Sequence, residues 1–228
     1  SNIISFDAHD PRVQNAIPLS GFESIMPTYQ MLKAMCHTYD DLRIDKHHMM
    51  VISPDEGALN RNIYYSSAMG VDMGMFYKRR DYTRVVNGRN PIVAHEYLGD
   101  SVEGKDVFVA DDIIASGDSI LDLAYNLKKR KAKRVFAGAT FAFFTSGLEA
   151  FDKAYADGVI DHVFATNLTY TPQAVLDRPW FSQADMSKYM AFVIATLNHD
   201  QSLSYLLNPW NRIEKLLTKY RAEHPHND

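Results

Sequence analysis

The chain has 228 residues, 46% hydrophobic and 23% charged, with a net charge of −4. That is enough to bury a sizeable core, and the charge balance offers no broad basic surface for nucleic acid. No apolar run is long enough to span a bilayer, so no membrane partner is expected. The single cysteine, Cys36, excludes an internal disulfide; beside Leu32, Ala34 and Met35 it is expected to be a buried thiol in a reducing, cytoplasmic setting.

Ser1-Asn2 lacks an initiator methionine and runs straight into the apolar Ile3-Ile4-Ser5-Phe6, so the start is expected to be cut, as a tag scar or an excised fragment, and not native. Strand-like runs follow at residues 3–6, 48–52, 73–77, 106–110, 134–144 and 162–166. Between them, helical spacing is found at 27–39, 58–69, 119–132 and 147–157, with Gly70 and Gly158 near two carboxyl ends. After the last strand come a turn-rich loop at 167–172, the pair Trp180-Phe181, and helices at 186–197 and 203–221. Alternation of this kind predicts an α/β fold, a mainly parallel sheet flanked by helices, whose ligands gather beyond the carboxyl ends of the strands.

The segment Val107-Phe-Val-Ala-Asp-Asp-Ile-Ile-Ala-Ser-Gly-Asp-Ser-Ile120 is a strand, two carboxylates, a small-residue turn and a helix start. Backbone N–H groups of Ser116, Gly117, Asp118 and Ser119 can converge on an anion with help from the helix dipole, and Ala115 leads into the turn. Either Ser116 or Ser119 could cap the helix. Asp111 and Asp112 suit vicinal hydroxyls and a hydrated magnesium ion. An ordinary strand-to-helix turn would explain a lone Asp-Asp pair, but not the whole pattern. The carboxylate of Asp118 is the exception: facing a phosphate at 4 Å it would cost about 1 kcal/mol even in water, so it is expected to point outward.

Three further segments carry chemistry. Ser53-Pro-Asp-Glu-Gly-Ala-Leu-Asn-Arg61 reads as a second anion loop, in which Gly57 permits an unusual backbone angle and Asp55 can reach a metal-bound water; alone, it is also a common turn sequence. Lys78-Arg79-Arg80 ends a strand and opens a long segment with Arg84, Asn87, Gly88 and Arg89, suited to charge stabilisation by a closing loop, although in isolation it is a solvated basic turn. Asp7-Ala-His-Asp-Pro-Arg-Val-Gln14 offers His9 as a metal or phosphate contact, while a lone histidine is more often a structural hydrogen-bonder, the expectation also for His47-His48.

The acidic segment and its loop resemble the phosphoribosyl-diphosphate (PRPP) motif of the type I phosphoribosyltransferase fold. Taken with Asp7-x-His9, Ile17-Pro18, Ser53-Pro-Asp-x-Gly57, Lys78, Arg80, Leu98-Gly-Asp-x-x-x-Gly-Lys105 and Ser202-Leu-Ser-Tyr-Leu206, they are similar, over almost the whole chain, to the ribose-phosphate pyrophosphokinase (PRPP synthetase) family. The resemblance implies diphosphoryl transfer from ATP to ribose 5-phosphate, yielding PRPP and AMP. It implies Lys78 and Arg80 as catalytic residues, and Asp55, Gly57, Asp111, Asp112 and Ala115, Ser116, Gly117, Asp118 and Ser119 as substrate-binding residues. Mg2+ would lie near His9, Asp55, Asp111 and Asp112, in a homo-oligomer. Residues 1–40 would then be the remnant of an N-terminal pyrophosphokinase domain and 41–228 the phosphoribosyltransferase-like domain. Departures are Asp118, Ala58 where a second glycine is usual, Asp81-Tyr82-Thr83 in the basic loop, and the lack of most of the amino-terminal domain. Two rivals stand beside this reading: a phosphoribosyltransferase that uses PRPP, which needs the same ribose-phosphate loop but is argued against by the His9 segment and Lys78-Arg79-Arg80, and a non-catalytic regulatory or assembly homologue, which Asp118, Ala58 and the altered basic loop keep open.

Overall fold

A computed structural model describes residues 2–80 and 92–225. The main sheet has seven strands: β3 (Met49–Ser53), β4 (Asp72–Arg80), β5 (Ile92–Leu98), β6 (Asp106–Ile114), β7 (Arg134–Ala142), β8 (His162–Thr166) and β9 (Phe181–Ala184). Their order is β5-β4-β3-β6-β7-β8-β9; all pairs are parallel except β4 with β5. A parallel sheet must be covered on both faces, and alternate side chains of each strand serve the two layers. Met50, Ile52, Val107 and Val109 face a layer built with α3 (Asp118–Lys129) and α4 (Glu149–Ala156). Met49, Val51, Phe108 and Ala110 face the other, with α1 (Thr28–Thr38), α2 (Leu59–Met69) and the last helix, α8 (Trp210–Glu223). Helix α1 thus shares a core with the sheet although it lies within the first 40 residues. Cys36 is buried there, and burial pushes its thiol up to about 12.

A second, two-stranded parallel sheet pairs β1 (Asn2–Phe6) with β2 (Gly21–Ile25). Ile4, Phe6 and Ile25 pack on Met186, Tyr189 and Val193 of the segment containing α6 (Ser187–Asn198), and on leucines at and beside α7 (Ser204–Leu207). The remaining short helix is α5 (Gln173–Leu176).

The structure corrects several expected boundaries. The helix expected over 203–221 is two, because Pro209 has no N–H to continue the first and holds Asn208 extended at φ −101°, ψ 99°. The strand expected to end at residue 110 continues to Ile114, since β7 offers a paired edge as far as Ala142, so Asp111 and Asp112 lie within the end of a strand and not beyond it. Strand β7 in turn stops before Phe143-Phe144, where Phe144 takes a positive φ of 48°. The strand expected to end at Tyr77 runs to Arg80 and forms a hairpin with β5, with Lys78 opposite His95 and Arg80 opposite Ile92. Strands β2, β5 and β9 were not foreseen; β2 and β9 are short and interrupt their apolar residues with polar ones.

Candidate active site

Strand β1 ends at Phe6, and the backbone then turns sharply: Asp7 has φ 42° and its N–H bonds to the Ile25 carbonyl at 3.0 Å. This directs a buried carboxylate toward the carboxyl end of the main sheet. There Arg61, in the first turn of α2, takes it as a fork: Nε lies 3.0 Å from each Asp7 oxygen and Nη2 is 2.9 Å from Oδ1. Thr140 of β7 donates its hydroxyl to Asp7 Oδ2 at 2.6 Å. The same guanidinium lies 3.6 Å from Asp111 and 3.7 Å from Asp112 and is 9% exposed. Burial alone would lower the arginine's pKa, but the carboxylates of Asp7, Asp112 and Asp111 outweigh it and the net shift is upward.

The acidic pair is polarised. Burial, then the hydrogen bond and charge of its neighbour Asp112, push Asp111 up to about 7. Burial works the same way on Asp112, but hydrogen bonds with Asp111 and His9 and the Arg61 charge overcome it, so Asp112 is lowered and is the anionic member of the pair. His9 Nδ1 is 2.6 Å from Asp112 Oδ2 across 103 residues of sequence; the imidazole is 83% exposed and its pKa is raised by that bond. His9 therefore presents its other edge outward.

Asn62, buried beside Arg61, fixes the strand that carries the pair. Its amide donates to the Ala110 carbonyl at 2.8 Å and accepts from the Ala110 N–H at 3.0 Å, as a neighbouring strand would. Neither Arg61 nor Asn62 was singled out from sequence. The available signal was an Asn-Arg-Asn run opening a helix whose buried face otherwise carries Tyr65, Ser66, Ala68 and Met69.

His9, Asp55, Gly57, Asp111 and Asp112 line one cleft of about 1100 Å³ together with Arg61 and Tyr77. Asp55 is partly spent on its own loop, where Oδ1 accepts from the Ala58 N–H at 3.2 Å. Gly57 does not take a left-handed angle, contrary to expectation; what its lack of a side chain provides is room, since a Cβ would sit 3.3 Å from that Asp55 oxygen. Ala115 and Ser116 through Ser119 follow β6 and are not among the residues lining the cleft. Gly117 occupies the cap position of α3 at φ 92° and has no side chain to cap with; Ser119 lies inside the helix, and Ser116 Oγ accepts the first helical N–H, that of Asp118, at 3.4 Å. A Cβ on Gly117 would lie 2.2 Å from the Phe151 ring, so only glycine fits. Asp118 is exposed, yet it stays at the loop, accepting from Ser116 Oγ at 2.9 Å.

Lys78 and Arg80 belong to β4 by backbone, but their side chains, like residues 81–91 with Arg84, Asn87, Gly88 and Arg89, lie outside the described residues. His48 meets Asp45 at 2.8 Å, a local structural contact. Among the described residues, no three His, Cys, Asp or Glu side chains come together to hold a metal ion, and no helix is long and apolar enough to cross a membrane.

A carboxylate pair at a strand end, a glycine-pinned loop and a helix start define the phosphoribosyltransferase class of site. Residues 24–167 match the phosphoribosyl transferase domain, and the chain belongs to that family. Curated relatives are a ribose-phosphate pyrophosphokinase from Vibrio cholerae, 34% identical over 70% of this chain and 48% of the relative, and one from Chromobacterium violaceum, 28% identical over 90% and 58%. In fold, it resembles the phosphoribosylpyrophosphate synthetase from Mycobacterium smegmatis, with a TM-score of 0.70, 20% identity, and coverage of 87% of this chain and 59% of the other. The chain spans about half the length of the curated relatives it matches.

Proposed function

We propose that this chain carries the ribose 5-phosphate half of a ribose-phosphate pyrophosphokinase. In the intact protein the 1-hydroxyl oxygen of ribose 5-phosphate attacks the β-phosphorus of ATP, the bond from that phosphorus to the α,β-bridging oxygen breaks, AMP leaves, and the hydroxyl proton is released. The observation that carries this reading is the 2.6 Å contact between His9 and Asp112, which joins the upstream His segment to the acidic pair at one cleft. A phosphoribosyltransferase that uses PRPP needs the acidic pair and loop, but gives no reason for a histidine brought there from such a distance in sequence.

In this reading, Ser116, Gly117 and Ser119, entered through Ala115, seat the 5-phosphate. Asp111 and Asp112 hold the ribose hydroxyls, and the loop of Asp55 and Gly57 meets diphosphate oxygens. Lys78 and Arg80, on the hairpin that follows the cleft-lining Tyr77, counter charge on the transferring phosphates. The all-oxygen character of the Asp111–Asp112 pair fits magnesium, which keeps several waters and shares its remaining ligands with phosphates. Asp111 and Asp112 would hold it with Asp55 nearby, and His9 would orient Asp112. When bound, the ion would neutralise phosphate charge. For the parent protein we assign residues 1–40 to the end of a preceding pyrophosphokinase domain, with α1 packed into the core of the phosphoribosyltransferase-like domain of residues 41–228, in a cytoplasmic homo-oligomer. Asp118 in the phosphate loop supports a second reading, a regulatory homologue that keeps the fold without turnover.

The test is AMP formation by the longer parent, dependent on ribose 5-phosphate and magnesium. Lys78→Ala is expected to lower kcat by about 100-fold or more. Unchanged turnover in that variant removes the assigned loop role, and failure of this chain to bind ribose 5-phosphate with magnesium, with or without ATP, removes the synthetase reading for it.

A further inference from the structure

The phosphate loop contains a carboxylate that engages one of the loop's own donors. Ser116 Oγ donates to Asp118 Oδ2 at 2.9 Å, and the Asp118 N–H returns to Ser116 Oγ at 3.4 Å. Between them Gly117 is fixed at φ 92° against the Phe151 ring, so the loop has little freedom to rearrange around an incoming ligand. Asp118 opens α3 directly after the cap residue Gly117, so its carboxylate also sits at the positive end of the dipole. Among the described residues, no cation forms an ion pair with it.

Resting on the reading of residues 115–119 as the seat of a sugar phosphate, we propose that Asp118 is a specificity-determining residue that acts as an internal competitor for the phosphate. Its carboxylate already uses the Ser116 hydroxyl, so a dianionic phosphomonoester enters only by taking that donor and turning Asp118 away. The remaining like-charge penalty amounts to about fivefold in affinity for each ligand charge held 4 Å away in water, or about 25-fold for a dianion. The loop is thereby tuned against free phosphomonoesters and toward ligands whose charge is reduced, by protonation or by a bound cation. The same contact gives a physical basis for a low-affinity, sensing role of this loop.

The experiment is calorimetric titration of this chain and of Asp118→Asn and Asp118→Gly with ribose 5-phosphate at fixed ionic strength and without magnesium, with ribose as the uncharged control and circular dichroism to verify folding. Both variants are expected to bind ribose 5-phosphate about 25-fold more tightly than the parent sequence, with ribose unchanged and the gain shrinking in 1 M salt. Equal or weaker binding in both folded variants overturns the proposal and leaves Asp118 as a helix-start residue. The underlying reading is tested separately by Ser116→Ala with Ser119→Ala. Undiminished affinity in that double variant places the phosphate elsewhere, and absence of binding in every folded chain, Asp118→Gly included, overturns both.

Discussion

Arg61→Met removes the guanidinium that, among the described residues, serves Asp7, Asp111 and Asp112 together. Arg61 is 9% and Asp7 4% exposed at the side chain, and three contacts of 2.9–3.0 Å join them. Methionine fills much of the same volume, so the loss is electrostatic: Asp7 keeps the Thr140 hydroxyl but becomes a buried carboxylate without its cation. Breaking one side of a buried pair costs about 3–5 kcal/mol. At about 2–4 °C per kcal/mol for a chain of this size, the melting temperature should fall by about 6–20 °C. The sign with pH follows from linkage. Arg61 lowers the pKa of both Asp111 and Asp112, so without it their folded-state values rise, and an acid with a raised folded value loses stability as pH climbs from its unfolded toward its folded pKa. The deficit should therefore be larger at pH 7.5 than at pH 5. Arg61→Lys, which keeps the charge and loses the fork, should recover part of it. Urea unfolding in the presence of a chelator at both pH values measures this. A loss below about 0.5 kcal/mol, the range of ordinary surface substitutions, or a deficit that does not shrink at pH 5, refutes the assignment of Arg61 as the shared counter-ion.

Gly117→Ala should destabilise by about 2–5 kcal/mol, combining a left-handed backbone angle with overpacking against Phe151, and should lose ribose 5-phosphate affinity; a denaturation midpoint within error of the parent chain would contradict the crowding seen at that ring. Asp111, raised from 3.8 to about 7, withdraws stability as pH rises through that window, whereas Asp112, lowered, contributes stability that is lost as pH falls. From pH 5 to pH 8 the stability of Asp111→Asn minus that of the parent chain should therefore increase in urea unfolding, and a difference that falls over that range would refute it.

The layers of the fold were legible because β3, β6 and β8 are continuous apolar runs whose alternate residues feed two cores, and because α2 and α3 carry apolar faces at helical spacing. The edges were not. Phe181–Ala184 is four residues with Ser182 and Gln183 at its centre, and such a strand is defined by the β8 edge that receives it more than by its own composition. The end of β6 was misplaced for a related reason: consecutive aspartates look like a turn, yet β7 pairs alongside them. At the site, residue types were readable but partnerships were not. Asp7 and Arg61 are 54 residues apart, and nothing local to either marks the other. Asn62 is harder still, since its amide substitutes for a missing strand beside Ala110, a role visible only once helix and strand are in place.

The charges of the cleft divide the work between two kinds of structure. Its described lining includes the carboxylates of Asp10, Asp55, Glu56, Asp111 and Asp112 against the guanidiniums of Arg12 and Arg61. Neither guanidinium is available to a ligand at no cost, because Arg12 is held by Asp10 at 2.6 Å and Arg61 is shared among three acids. A polyphosphate entering this lining therefore meets net repulsion unless cations accompany it or are brought to it. On the proposed reading the β4–β5 hairpin would bring them, since Tyr77 lines the cleft and Lys78 and Arg80 lie farther along the same strand. On the proposed reading, the acids at the end of β6 would be oriented for ribose hydroxyls and hydrated metal, and cations from the β4–β5 hairpin would offset the charge between those acids and a polyphosphate.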